Sequence, residues 1–324
     1  MVTVQPVEGS KTKDLMSTTV QSKGAHSPAQ THRHSRKLRD VPVALVFLAP
    51  AIFGFLLFYL WPMIRGLQIS FTDWDMISTP HWVGFDNYRK LIGDHHFGHA
   101  LVVTAIYVVV NISTQTALGL AIATLMQRIS HSTLIRSLLL VPWLVPNVTI
   151  AVITLFVLDP NVGLLNHMLS YLNVGPIAFY SNPDIAIYTV ALVNSWRNMG
   201  YTALLIFAGM QIIPTMVYEA AEIDGSSTWR TFFSITLPLI RPILVMVVVV
   251  STIGSFQIFD TVAVATKGGP VNSTRVIYFY IYEKAFQQGQ MGYAAAMAVV
   301  LLLIILLMTL VQLRVTRATE TDLG

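Results

Sequence analysis

The chain has 324 residues, of which 54% are hydrophobic and 11% charged, with 20 Lys or Arg against 16 Asp or Glu and no cysteine. A water-soluble domain carries about 25% charged residues, so this composition excludes a chain whose whole surface faces water and makes lipid its solvent. The missing thiol excludes a disulfide framework, a thiolate zinc site and an iron–sulfur cluster, and the formal charge of +4 lends little support to nucleic-acid binding.

Residues 1–42 are rich in Ser, Thr, Gln, Lys and His and lack an apolar run, which predicts a mobile tail. It does not read as a secretory signal, because the apolar stretch behind it is too long for a signal core. His26, His32 and His34 have no scaffold to orient them as metal ligands and read as solvated. Crossing about 30 Å of hydrocarbon takes roughly 20 apolar residues. Six stretches reach that length: Val43–Ile64, Ala100–Met126, Leu134–Leu158, Ile185–Ile213, Ile243–Ala265 and Tyr293–Val315. Strands of a barrel would be half as long and alternate in polarity, so the spans are helices. Pro50, Pro62, Pro142 and Pro146 predict kinks in the first and third.

Cations set the orientation. Seven lie in the tail (Lys11, Lys13, Lys23, Arg33, Arg36, Lys37, Arg39), and with the amino terminus inside they share a side with Arg128, Arg136, Arg230, Arg241, Arg314 and Arg317. The other side has Arg65, Arg89, Lys90, Lys267, Arg275 and Lys284, and Arg197 lies within a span. That imbalance predicts both termini in the cytoplasm, with 43–315 as the membrane domain and 316–324 as a short cytoplasmic tail. Trp61, Trp74 and Trp82 suit an outer aromatic belt.

Three long outer loops follow, at 65–99, 159–184 and 266–292, rich in turn formers such as Gly268-Gly269-Pro270. They are either docking surfaces for an external protein or plain connections. His95 and His99 have helical metal spacing, but solvated histidines explain them more simply, so no metal site is expected. The alternating Tyr278, Tyr280 and Tyr282 read as interfacial rings.

The inner segment 213–242 is the most informative. Pro214 suits a first helical turn, Gly225 a helix stop, Ser226 or Ser227 a second cap, and Leu237-Pro238 a second stop, which predicts helix, corner, helix. Glu219 offers a fixed charge to a basic partner, and Ala220 and Ala221 leave a face of little bulk for close approach. A helix resting on lipid headgroups would be the plainer reading of Glu-Ala-Ala alone. The full spacing is more restrictive: Glu219-Ala220-Ala221, three residues, Gly225, nine residues, Ile235, one residue, Leu237-Pro238. In it the chain resembles the permease subunits of binding-protein-dependent ABC importers, in their carbohydrate-uptake branch of maltose-type and glycerol-phosphate-type permeases. Asn194-Ser195-Trp196, Gly209-Met210-Gln211-Ile212-Ile213-Pro214, Phe71-Thr72-Asp73-Trp74, Gly84-Phe85-Asp86-Asn87-Tyr88 and the Phe256–Asp260 stretch also look like that branch, over about residues 42–316.

The resemblance implies an all-α membrane protein, a six-helix bundle of the type I ABC importer permease kind in a bacterial inner membrane. It implies ATPase coupling through Glu219, Ala220, Ala221, Asp224 and Gly225, which would enter a cleft in a cytoplasmic ATPase. The expected partners are two such ATPases, a second and different permease, an external binding protein, membrane lipid and a saccharide. No Gly-x-x-x-x-Gly-Lys-Ser/Thr occurs, so the chain is expected to be non-catalytic, with no cofactor of its own and with ATP and Mg on the ATPase subunits.

Polar residues inside spans are costly and face cavities or other helices. Asn194, Asn198 and Tyr201 share one face of the fourth span, near Trp196 and Arg197, while Ser251, Ser255, Gln257 and Asp260 lie along the fifth. Amides, hydroxyls and rings suit a sugar, and Asn194, Asn198, Tyr201, Ser251, Ser255 and Gln257 look like the family's sugar contacts; the competing reading is interhelical hydrogen bonding. Arg197 departs from the family and is expected to pair with Asp260, cap the cavity or bind an anion, which admits a glycerol-phosphate-like or acidic sugar substrate. Asn111, Ser113, Thr114, Gln115 and Thr116 read as packing. An ion-driven carrier would need embedded acids, and spans two to six have essentially none apart from Asp260.

Overall fold

A computed structural model describes residues 45–129 and 133–320. The predicted tail 1–42 with its histidines, and the last four residues of the predicted carboxy-terminal tail, lie outside them. The chain divides into two units, Met1–Trp61 and Pro62–Gly324. In the first, residues 45–61 are helical, and a π-helical turn at Leu56–Leu60 closes with the Trp61 N–H on the Leu56 carbonyl. Pro62 follows directly and lacks the N–H that an α-helix needs, so the wide turn takes up the missing bond. Helix α1 runs Leu45–Ile69.

The second unit adds α2 (Asp86–Ile92), α3 (His95–Ile129), α4 (Thr133–Leu144), α5 (Asn147–Val157), α6 (Leu164–Ser170) and α7 (Ala186–Met210). It continues with α8 (Thr215–Ile223), α9 (Thr228–Leu239), α10 (Arg241–Phe256), α11 (Ile277–Tyr282) and α12 (Met291–Glu320). Among the described residues there is no strand, only an isolated bridge between Thr72 and Trp82. Helices α1, α3 and α12 are long and apolar enough to cross a membrane alone. The pairs α4–α5, α7–α8 and α9–α10 bend by 91°, 77° and 69°, giving up to six crossings if each pair counts as one.

The bends modify the expected spans. Pro146 breaks the third into α4 and α5 at nearly a right angle, because the residue before a proline is pushed out of the helical region. The fifth was expected to run unbroken to Ala265, yet α10 stops at Phe256, and the Gln257 N–H turns back onto the Gly254 and Ser255 carbonyls. No proline marks that stop, and apolar length says nothing about where a backbone leaves the helix. Leu237-Pro238 lies in the last turn of the inner helix, which ends at Leu239, one residue beyond the proline. A π-helical turn at Phe232–Thr236 precedes Pro238 and accommodates its missing donor, as at Pro62.

Two apolar cores form. One joins Phe97, Tyr107, Val190, Tyr280 and Met297 at the end carrying α2 and α11; the other joins Met126, Ile206, Met210, Ile240 and Val247 at the end carrying α8. Between them, α3, α7 and α10 contribute a belt of buried Asn, Gln, Ser and Thr. Beside the first core, Phe71 meets Trp82, Phe85 and Tyr88 at ring distances of 5.3–5.4 Å, and the Asn87 amide donates to the Ser70 and Thr72 carbonyls. Trp82, expected in an interfacial belt, stacks on Phe71 and remains 70% exposed.

Asp94 is the knot of this end. Its Oδ1 caps α3 by accepting the His96 and Phe97 N–H groups, and its Oδ2 accepts the Tyr280 and Tyr293 hydroxyls at 2.8 and 2.7 Å. Tyr280 is therefore a core residue, 2% exposed, whereas Tyr278 and Tyr282 are exposed; two residues apart on a helix do not share a face. Burial alone would raise the Asp94 pKa, but the bonds from Tyr293, Tyr280 and the two backbone N–H groups outweigh it and hold it below the ordinary carboxylate value. A lowered folded pKa makes this stabilisation complete above the unfolded value and lost as pH falls through the folded one. Asp94→Ala is expected to cost about 2 kcal/mol at neutral pH, with the difference from the parent narrowing below pH about 4. Thermal unfolding in detergent across pH checks this, and a pH-independent difference would refute it.

Candidate functional site: a polar cavity and an exposed corner

The polar belt is hydrogen-bonded across three helices. Asn111 on α3 donates to Ser255 Oγ on α10 at 3.0 Å, and Gln115 donates to Thr202 on α7 at 2.8 Å and to Ser251 on α10 at 3.1 Å. Ser195 bonds both the Asn111 carbonyl and its side chain. Such bonds in a membrane are worth about 0.6–2 kcal/mol each and lock the helices in register.

One side of the belt opens into a cavity of about 280 Å³. Of the expected substrate residues, Asn194, Arg197, Asn198, Tyr201, Ser251, Ser255, Gln257 and Asp260 all line it. Trp196 does not: it is 45% exposed and points from another face of α7, since two residues along a helix turn the side chain by some 200°. Asn194 is nearly buried and bonded to the Val190 carbonyl and to Thr261, so its amide serves packing as well as the wall. Asn111 and Gln115, read from sequence as packing alone, line the cavity too. Tyr107, Trp143 and Asn147 are lining residues that the sequence reading did not single out. Trp143 stacks on Tyr201 at 4.7 Å with rings 8° apart, and Asn147 donates to Asp260 Oδ2 at 2.9 Å. For Trp143 and Asn147 the only available signal was their place on either side of the Val145-Pro146 break.

Arg197 does not form an ion pair with Asp260; the ion pairs among the described residues are Arg89–Asp86 and Arg275–Glu283. Its Nε and Nη2 donate to the Val145 carbonyl at 3.3 and 3.1 Å, and Nη2 also donates to the Trp143 carbonyl at 3.0 Å. No group of His, Cys, Asp and Glu arranged to hold a metal occurs among the described residues, and the His99 ring meets the Asn272 carbonyl instead.

At the other end, α8 and α9 form the corner that the sequence pattern outlines. Pro214 precedes α8 rather than opening it, with an extended ψ of 140°. Gly225 has φ +69°, and its N–H and that of Ser226 return to the Glu222 and Ala221 carbonyls in a Schellman closure. Ser227 caps α9 on the Arg230 N–H. Glu219, Ala220, Asp224 and Gly225 are exposed, but Ala221 is buried. The smallness of Ala221 therefore serves packing inside the chain, because the residue beside an exposed position on a helix turns by some 100° toward the bundle. Sequence reasoning also missed Met216 and Ile223, 68% and 87% exposed, whose spacing from Glu219 and Ala220 follows one helical face.

Residues 115–321 match the family described as "Binding-protein-dependent transport system inner membrane component". The chain belongs to this family. Among curated relatives, the permease is 33% identical to the probable ABC transporter permease protein YesP of Bacillus subtilis, over 87% of this chain and 93% of that one. It is 31% identical to the trehalose/maltose transport system permease protein MalF of Thermococcus litoralis, over 87% and 96%. Its fold is the type I ABC importer permease fold: a chain of a bacterial ABC transporter that imports the acidic polysaccharide alginate superposes with a TM-score of 0.77 at 22% identity, covering 89% of this chain and 99% of that one. That transporter has also been solved in complex with an alginate pentasaccharide-bound periplasmic protein.

Proposed function

We propose that this permease is the passage-forming subunit of an ATP-driven saccharide importer of a bacterial cytoplasmic membrane, with both termini in the cytoplasm. Its tail would be 1–42, its membrane domain 43–315 and its inner coupling segment 213–242. Support comes from one arrangement: two of the helices that line the polar cavity, α7 and α10, are joined in sequence by the exposed α8–α9 corner.

Cavity amides and hydroxyls, from Asn194, Asn198, Ser251, Ser255 and Gln257, suit the alternating donors and acceptors of sugar hydroxyls, and Tyr201 on Trp143 offers an aromatic wall for a sugar's apolar face. Asp260 adds a carboxylate acceptor beside Asn147. Glu219, Ala220, Asp224 and Gly225 present the corner to a cytoplasmic ATPase, while Ala221 seats it against the chain. ATP hydrolysis, with its Mg, would take place on two such partner subunits, and this chain would do no covalent chemistry. A second, different permease would complete the pathway, and an external binding protein would deliver substrate to the loops around 65–99, 159–184 and 266–292. A trehalose and maltose permease among the relatives, and an alginate importer as structural neighbour, favour sugars.

The test is binding and uptake by the purified complex with its binding protein, over a panel of neutral disaccharides and acidic oligosaccharides. Sugar-stimulated ATPase activity with at least one member is expected. A complex that isolates without any nucleotide-binding subunit would overturn the reading.

A further inference from the structure

The break in the third span leaves its carbonyls without helical partners. Helix α4 ends at Leu144 and α5 begins at Asn147, so the Trp143 and Val145 carbonyls lie at the break, outside the regular ladder of either helix. In a membrane an unsatisfied carbonyl is costly. Arg197, on the neighbouring helix α7, supplies three bonds to these two carbonyls and a fourth, at 3.4 Å, from Nη1 to Asn198 Oδ1. A planar guanidinium can reach two oxygens at once, which an ammonium does less well.

The two residues that the break turns toward the cavity flank these carbonyls. Trp143 lies flat on Tyr201, four residues after Arg197 on α7, and Asn147 bonds Asp260. Asn147 Oδ1 is buried with no hydrogen-bond partner, so Asn147 is held at the wall by its amide nitrogen and by the backbone around it.

We propose that Arg197 is a positioning residue: its guanidinium holds the α4–α5 bend by satisfying the Trp143 and Val145 carbonyls, and thereby sets Trp143 and Asn147 into the cavity wall. Its Nε and Nη2 donors are engaged by the chain's own backbone and Nη1 reaches the Asn198 side chain, which makes it a poor hook for a substrate anion. The inference stands on the cavity's geometry and does not depend on the ligand being a saccharide.

The chain has no cysteine, so pairs can be introduced cleanly. Asn147→Cys with Asp260→Cys replaces two side chains 2.9 Å apart, one on the first residue after the bend and one beyond α10, and Asn111→Cys with Ser255→Cys replaces two 3.0 Å apart in the belt away from it. Each pair is cross-linked with a short bifunctional thiol reagent in the detergent-solubilised complex. The product is read on this chain after cleavage at a protease site inserted in 159–184. With Arg197 present both pairs cross-link. Arg197→Met is expected to slow the 147–260 pair by about tenfold and leave the 111–255 pair unchanged, while Arg197→Lys gives an intermediate rate. An unchanged 147–260 rate in both variants, equal slowing of both pairs, or no 147–260 cross-link in the parent overturns the proposal. Failure of the sugar panel alone would leave these rates as they are.

Discussion

Replacing Gly200 with valine is expected to prevent recovery of a folded chain. Gly200 is buried on α7, where α4 crosses, and a Cβ built there runs into the Leu139 carbonyl oxygen and carbon. These are backbone atoms of a packed helix and cannot swing aside as a side-chain tip would. Helices in lipid lack a hydrophobic drive to associate and depend on such close approaches through small residues. Overpacking by one methyl costs about 1–3 kcal/mol, and the branched valine should exceed that. Alanine should therefore lower the melting temperature in detergent, and valine should leave little monodisperse protein on gel filtration. A parent-like melting temperature for Gly200→Ala would mean that α4 can move away freely, which would also weaken the case for a bend held by Arg197.

The second large effect is expected at the corner. Glu219→Lys reverses an exposed charge, and Gly225→Val forces a branched residue into the left-handed region at φ +69°, where the strain is roughly 1–2 kcal/mol or more. A Cβ at Gly225 meets nothing within 4 Å, so the penalty is one of backbone conformation and falls on the corner rather than on the bundle. Losing a charge pair at a desolvated contact costs about 2–5 kcal/mol, enough to reduce uptake at least tenfold. Both variants should insert and purify in normal amounts, yet show weakened association with the ATPase or ATPase activity no longer raised by substrate. Parent-like uptake by both would remove the coupling role.

Local chemistry made the corner readable. Gly225 needs φ > 0, Ser227 needs to cap, and Glu219 has to be exposed; each is decided within a few residues. Span length was readable for the same reason, since roughly 20 apolar residues admit few alternatives. The shared cavity face of Asn194, Asn198 and Tyr201 followed from spacing along one helix. What escaped was settled by residues far apart in sequence. Nothing around Arg197 says that two carbonyls more than fifty residues earlier will be left without partners. Nor does anything around Tyr280 show that Asp94 will take its hydroxyl. Asn111 and Gln115 were taken for packing because a hydrogen bond across helices and a place on a cavity wall look alike in sequence; here each residue has both.

The two bends at the corner, 77° between α7 and α8 and 69° between α9 and α10, have a mechanical consequence. Helix α10, 16 residues and about 24 Å long, rises from the corner at one end and carries Ser251 and Ser255 toward the other. A tilt of about 10° at that fulcrum would carry its far tip by about 4 Å, on the scale of the bonds that close the belt. Helix α7 joins the same corner through Gln211–Pro214, so a push on the corner would be shared between both walls. A small displacement at the corner would thus be geared up to the height where the polar side chains stand.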